Sequence, residues 1–101
     1  MFIISYAAKA REDIREIAIW YHEQNPGLEN DFLVNLESSI NGIEDNPHKF
    51  QIHFRQTRSV LLRRFPYRVI YKVTKNTILI VGVFHTSRNP KIIRKRSKDE
   101  N

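Results

Sequence analysis

Two runs rich in strand-forming residues, Tyr67 to Val73 and Ile78 to Phe84, flank the polar segment Thr74-Lys75-Asn76-Thr77 and constrain the fold more than any other part of the chain. A tight hairpin with Lys75 and Asn76 at its centre, where Asn tolerates positive φ, places Ile70 opposite Val81 and Arg68 opposite Val83. Side chains alternate between faces, so Tyr67, Val69, Tyr71 and Val73 share an apolar face with Ile78, Ile80, Gly82 and Phe84. The other face then carries Arg68, Ile70, Lys72, Leu79, Val81, Val83 and His85. In this register Arg68 and His85 are diagonal neighbours, about 7 Å apart at the backbone, and form the candidate centre of a working surface. A shift of one residue would separate them.

The chain of 101 residues fits one compact domain and holds no cysteine, which excludes disulfides and thiolate metal sites and suits a reducing, cytoplasmic setting. Its four histidines, His22, His48, His53 and His85, lack a metal-ligand spacing, so no metal and no cofactor is expected. The apolar start, Phe2 to Tyr6, reads as a strand and not as a leader peptide, and no run reaches membrane-spanning length.

The net charge of +6 conceals a division. Residues 1 to 54 hold four Lys/Arg against nine Asp/Glu, whereas residues 55 to 101 hold thirteen against two. The strand-rich half is thus the cationic half, and a field of that sign favours nucleic acid or an acidic protein segment. Arg63, Lys72, Lys91 and Arg94 are its candidate partner-binding residues.

Ser5 is placed to cap a helix in which Ala10, Ile14, Ile17, Ala18 and Tyr21 make one apolar face. Asn25-Pro26 reads as the start of a second helix with Leu28, Phe32, Leu36, Ile40 and Ile43 at helical spacing, ended by Asn46-Pro47. A polar connection, with a short edge strand near Ile52 to Phe54, leads to a strand from Arg58 to Arg64. A turn at Phe65-Pro66 then puts Ser59, Leu61 and Arg63 on the face of Arg68 and aims Arg58 toward the helices, where Asp31 or Glu37 would pair with it. Residues 1–90 form the expected domain, and the charged segment 91–101 reads as a mobile basic tail. The fold class is α+β, in the order β-α-α-β-β-β, with a helical hairpin packed on a twisted, mainly antiparallel sheet. Tyr67, Tyr71 and Phe84 belong under the helices, and Trp20 lies beside the apolar stripe of the first helix.

This order, together with Asn46-Pro47, Arg58, Phe65-Pro66-Tyr67-Arg68-Val69-Ile70-Tyr71 and Val83-Phe84-His85-Thr86-Ser87-Arg88-Asn89-Pro90, resembles the RelE/ParE superfamily, the toxins of bacterial type II toxin–antitoxin systems, over nearly the whole chain. The resemblance implies growth inhibition, a role in plasmid stabilization, a cognate antitoxin and a toxin–antitoxin heterotetramer. It offers two targets. A RelE-like toxin cuts mRNA in the ribosome, a reaction that needs a base, an acid and positive charge on the phosphate. Resemblance would assign these catalytic roles to Arg68, His85 and Arg88. Against that stand Ser59 and Leu61 where RelE-like enzymes place catalytic lysines, and the lack of a Tyr after Arg88. A ParE-like toxin inhibits DNA gyrase and performs no chemistry of its own; the Phe-Pro-Tyr turn and the His-x-x-Arg-x-Pro ending resemble this branch more. A non-toxic nucleic-acid-binding module is the remaining reading, and for His85 a hydrogen-bonding structural role stands beside the functional one.

Overall fold

The computed structural model describes residues 1–99; the last two residues of the expected basic tail lie outside them. The chain forms β1 (Ile3–Tyr6), α1 (Ala8–Gln24), α2 (Leu28–Asp45), β2 (Ile52–Phe54), β3 (Thr57–Leu61), β4 (Tyr67–Thr74), β5 (Thr77–His85) and α3 (Pro90–Asp99). The five strands make one sheet in the order β1-β5-β4-β3-β2, antiparallel except for β1, which runs parallel to β5. This is the expected α+β architecture, with the short edge strand at Ile52 to Phe54 in place and one addition, the terminal helix α3.

The helical hairpin lies on one face because its apolar stripes match the period of a helix. Phe32, Leu36, Ile40 and Ile43 of α2 are buried with Ala10 and Tyr21 of α1 against Tyr67, Val69, Tyr71, Ile78 and Ile80. Tyr21, Phe32, Phe65 and Tyr67 pack ring on ring at 5.1 to 6.2 Å between centroids, which fixes the start of β4 beneath the hairpin.

The helix starts differ from the sequence expectation. Ser5 stays in β1, and the residue before α1 is Ala7, which makes no side-chain cap; its amide instead donates to the Ile80 carbonyl at 3.0 Å, tying the helix entry to the sheet. Asn25 closes α1 by donating its amide to the Tyr21 carbonyl, and α2 starts after Gly27 in the left-handed region at φ 102°, a conformation that glycine adopts without a steric penalty. Glu29 accepts from the Gly27 amide at 2.8 Å and meets His22 Nδ1 at 2.7 Å, so one carboxylate spans the turn.

The register of the long hairpin decides where everything else points. Thr74 faces Thr77 and Tyr71 faces Ile80, as expected, but an extra residue then enters β5 and Ile70 faces Gly82. From this bulge onward every residue of β5 changes face. Val83 turns toward α1 and α2, whereas Phe84 leaves the expected helical core and joins Ile70, Val81 and Ile93 on the opposite side. Arg68 now faces Phe84, and His85 faces Tyr67. Positive φ at the hairpin tip falls on Lys75, at 47°, and not on Asn76, whose carbonyl accepts the Ile3 amide and starts the β1–β5 ladder.

The connection between β3 and β4 is longer than a tight Phe65-Pro66 turn. Arg58 pairs with Tyr71 and Leu61 with Arg68, a slip of two residues from the expected register, and a slip of two preserves the faces. Ser59 and Leu61 therefore lie on the side of Arg68, and Arg58 lies on the helical side. Its Nη1 donates to the carbonyls of His48 and Phe50 at 3.1 and 2.7 Å, so the expected carboxylate partner is replaced by loop carbonyls. The Tyr71 hydroxyl donates to the Pro47 carbonyl at 2.6 Å and pins the same loop.

The expected mobile tail is α3. Asn89 caps it by accepting the Lys91 amide at 2.9 Å, and Pro90 sits at the first helical position. Ile93 and Ser97, one turn apart, are buried against the sheet face opposite the hairpin. Arg96 reaches back to Asp13 of α1 through two hydrogen bonds of 2.8 and 3.0 Å, while Asp13 also accepts the Val83 amide at 3.0 Å. The Arg96 guanidinium lies 4.8 Å from the Phe84 ring centroid.

Gly82 is what admits this arrangement. A Cβ there would sit 2.6 Å from Phe84 Cε2 and 2.9 Å from Arg96 Nη1. Gly82→Ala should therefore destabilise the fold by about 1–3 kcal/mol, read as a lower urea midpoint; an unchanged midpoint would mean that Phe84 and Arg96 can give way.

Candidate functional site

The bulge separates the two residues that the sequence pairs. Arg68 lies half-buried on the α3 side, and His85 lies half-buried on the side of α1 and α2. The expected Arg68–His85 surface is thus overturned by the register, and three distinct surfaces take its place.

The first is an opening of about 410 Å³ at the hairpin mouth, lined by Trp20, Tyr21, Pro66, Tyr67 and His85. The His85 ring stands edge-on to Tyr67 with centroids 5.2 Å apart. The Ser87 amide donates to His85 Nδ1 at 3.0 Å, which selects the tautomer carrying its proton on Nε2. Trp20, 51% exposed, forms the outer wall. Arg88 is exposed in the turn after β5 and approaches the ring of Phe84, the ladder partner of Arg68, at 5.8 Å, so it lies toward the side of Arg68 and not that of the His85 ring.

The second is an apolar groove of about 620 Å³ between α1, α2 and β1. Ile4, Ile14, Leu33, Leu36 and Ile40 form its walls, and Arg11, Arg15, Glu37 and Glu44 stand at its rim.

The third is cationic and lies on the α3 side. Arg94 of α3 and Arg55 of the β2–β3 turn approach the Phe54 ring at 5.9 and 5.4 Å. Burial, followed by the charges of Arg68 and Arg94, holds the His53 imidazole below its ordinary range. Ser59 Oγ, on the same face, is shut off from solvent with no hydrogen-bond partner among the described residues. The sequence gives little warning of His53, Phe54 and Arg55; the only trace is one aromatic residue set between basic ones beside a weak strand.

The remaining candidates scatter. Lys72 is not at the surface: it is buried beneath α3 and donates to the Ser97 carbonyl at 2.9 Å, a cation at the negative end of a helix. Arg63 is exposed in the β3–β4 connection, and Lys91 is exposed in the first turn of α3. Among the described residues no group of three or more His, Asp or Glu could hold a metal ion, and no helix is long and apolar enough to cross a membrane.

Residues 4–90 match the family model described as the ParE toxin of the type II toxin–antitoxin system, parDE. The chain belongs to the ParE toxin family. It is a type II toxin within the RelE/ParE superfamily. Solved structures share the fold at low identity. A chain of the chromosomal ParDE toxin–antitoxin system from P. aeruginosa is 16% identical with a TM-score of 0.75, covering 84% of this chain and 96% of that one. The isolated E. coli RelE toxin is 15% identical with a TM-score of 0.61 over the full length of both chains. A chain of the YoeB–YefM complex from Staphylococcus aureus is 19% identical with a TM-score of 0.56, covering 84% of this chain and 98% of that one. No curated protein sequence matches the chain.

Two phenols of this toxin report its packing. Burial, reinforced by the neighbouring Tyr67, pushes the Tyr21 hydroxyl up to about 12, and burial, opposed by Arg58, does the same to Tyr71. Both hold their protons more tightly folded than unfolded, so their effect on stability is neutral below the ordinary phenol range near ~10 and turns unfavourable as pH rises toward 12. Alkaline titration should show Tyr21 and Tyr71 ionising only together with unfolding, followed by tyrosinate absorbance and circular dichroism. Ionisation of all the tyrosines in a still-folded chain would contradict the packing described.

Proposed function

We propose that this chain is a growth-arresting toxin that acts as a ParE-like inhibitor of DNA gyrase and carries out no reaction of its own. The family match supports the branch. The observation that carries the absence of chemistry is the β5 bulge, which leaves the phosphate-matching Arg68 on one side of the sheet and the imidazole of His85 on the other. Ser59 and Leu61, the neighbours of Arg68 on β3, supply neither an acid of suitable strength nor a cation. A RelE-like endoribonuclease would need its acid, its base and its phosphate cation on one surface.

In this reading a cognate antitoxin neutralises the toxin by laying an amphipathic segment in the groove between α1, α2 and β1. That groove is the largest apolar opening described, and it lies in the acidic half of the sequence. Its apolar floor supplies affinity, and its mixed rim sets the register of the bound segment. The electrostatic expectation, an acidic segment across the cationic half, becomes secondary. Heterotetramer formation, a role in plasmid stabilization and a cytoplasmic location follow from the same reading.

Induction of the chain without its antitoxin should arrest growth, and the purified toxin should block supercoiling by gyrase while leaving translated mRNA intact. Codon-phased mRNA cuts with normal supercoiling would overturn the proposal in favour of ribosome-dependent cleavage. A second test addresses the groove. Leu33→Glu, at a partly exposed position on its wall, should leave growth arrest intact and weaken antitoxin binding by at least about tenfold in a titration, the effect of roughly 1.4 kcal/mol. Unchanged affinity would place the antitoxin elsewhere.

A further inference from the structure

Arg55, Arg68 and Arg94 come from three separate elements, the β2–β3 turn, β4 and α3, and meet around His53 and Phe54, where the charges of Arg68 and Arg94 both act on the His53 ring. Arg55 and Arg94 both lie against the Phe54 ring, and Arg68 follows Leu61 across the β3–β4 ladder on the same side of the sheet. No carboxylate among the described residues pairs with any of the three; the ion pairs there are His22–Glu29 and Arg96–Asp13. Among the described residues, folding has therefore gathered three guanidinium groups with no carboxylate paired to them, an arrangement whose self-repulsion is relieved by a bound anion. The Ser59 hydroxyl, shielded and without a protein partner among the described residues, faces the same side.

We propose that this patch binds the phosphodiester backbone of a nucleic acid, with the three guanidinium groups on phosphate oxygens and His53 at the margin. Guanidinium forks match phosphate geometry in a way that lysine does not. Three features favour this ligand over an acidic peptide. The opening beside the patch is lined by polar groups alone, Arg55, Gln56, Thr57, Lys72 and Ser97, and offers no pocket to an apolar anchor. The apolar groove suited to a peptide lies against α1, α2 and β1. The positive field continues along the exposed Lys91, Lys95 and Lys98 of α3, a length suited to a repeating polyanion. The Phe54 ring is engaged by guanidinium groups, so the contact is to backbone and independent of base sequence. This inference goes beyond gyrase inhibition and does not depend on it.

The test uses the full chain and fluorescence polarisation with a labelled DNA duplex, a DNA single strand and an RNA strand over a series of salt concentrations. Binding should weaken linearly on a log–log plot. The Arg68→Gln/Arg94→Gln variant should lower the slope by about 0.9 per guanidinium removed and reduce affinity at least about tenfold, and Arg94→Lys should recover only part of the loss. Lys75→Gln, at the hairpin tip, removes the same type of charge away from the patch and should leave affinity within about twofold. A thermal melt checks that each variant is folded, and the His53 ring resonances should shift on adding oligonucleotide. Equal losses from Lys75→Gln and Arg94→Gln would reduce the effect to net charge and overturn the site. Binding of polyglutamate as tightly as nucleic acid would overturn the assignment of the ligand. Loss of supercoiling inhibition with nucleic-acid binding intact would count against the proposed function alone.

Discussion

The single extra residue in β5 governs this structure. A β-bulge opposes two residues of one strand to one residue of its neighbour, and in a two-sided sheet it reverses the destination of every later side chain. Here it puts Val81 and Gly82 together on the α3 side, sends Val83 to the main core and Phe84 away from it, and divides Arg68 from His85. It also leaves the Val83 amide beyond the end of the β1 ladder, where Asp13 accepts it. Without the bulge, Phe84 would face α1 and α2, and the platform under α3 would be lost.

Gly82 and the Asp13–Arg96 pair turn that local irregularity into a three-layer arrangement. The pair is mostly shielded from solvent, and an isolated pair of this kind contributes little net stability once desolvation is counted. Its effect is on specificity. Asp13 already serves a strand amide, and Arg96 of α3 completes its set of partners while holding its guanidinium over the Phe84 ring. The clasp joins α1 to α3 around the sheet edge and selects one position for a helix whose only large buried apolar residue is Ile93.

How much of this could be read from the sequence follows from which signals are periodic. The helical hairpin and the strands announce themselves because many residues repeat one choice, as Phe32, Leu36, Ile40 and Ile43 do. The bulge is carried by one glycine, and an alternating pattern around it reads equally well in either register, since Val81, Val83 and Phe84 are all apolar. The terminal helix was obscured for a different reason. Its charge suggests a solvated tail, yet Asn89-Pro90 is the same start signal as Asn25-Pro26 before α2, where the turn is made by Gly27 instead. The family resemblance rested on residues whose order is independent of register, which is why the fold was legible and the shared face of Arg68 and His85 was not.

The two faces of the sheet consequently differ in chemistry as well as in packing. The hairpin side combines the acidic half of the chain with an apolar groove, and the α3 side combines the cationic half with polar openings. A ligand on one side need not exclude a ligand on the other, because the groove walls on α1, α2 and β1 share no residue with the patch around Phe54. Coupling between them would have to pass through a shared element, and Asp13 is the described residue that bonds both to β5 and to α3 from the helix lining the groove. Asp13 thus ties the helix that walls the groove to Arg96, one turn from Ile93 and two positions from Arg94.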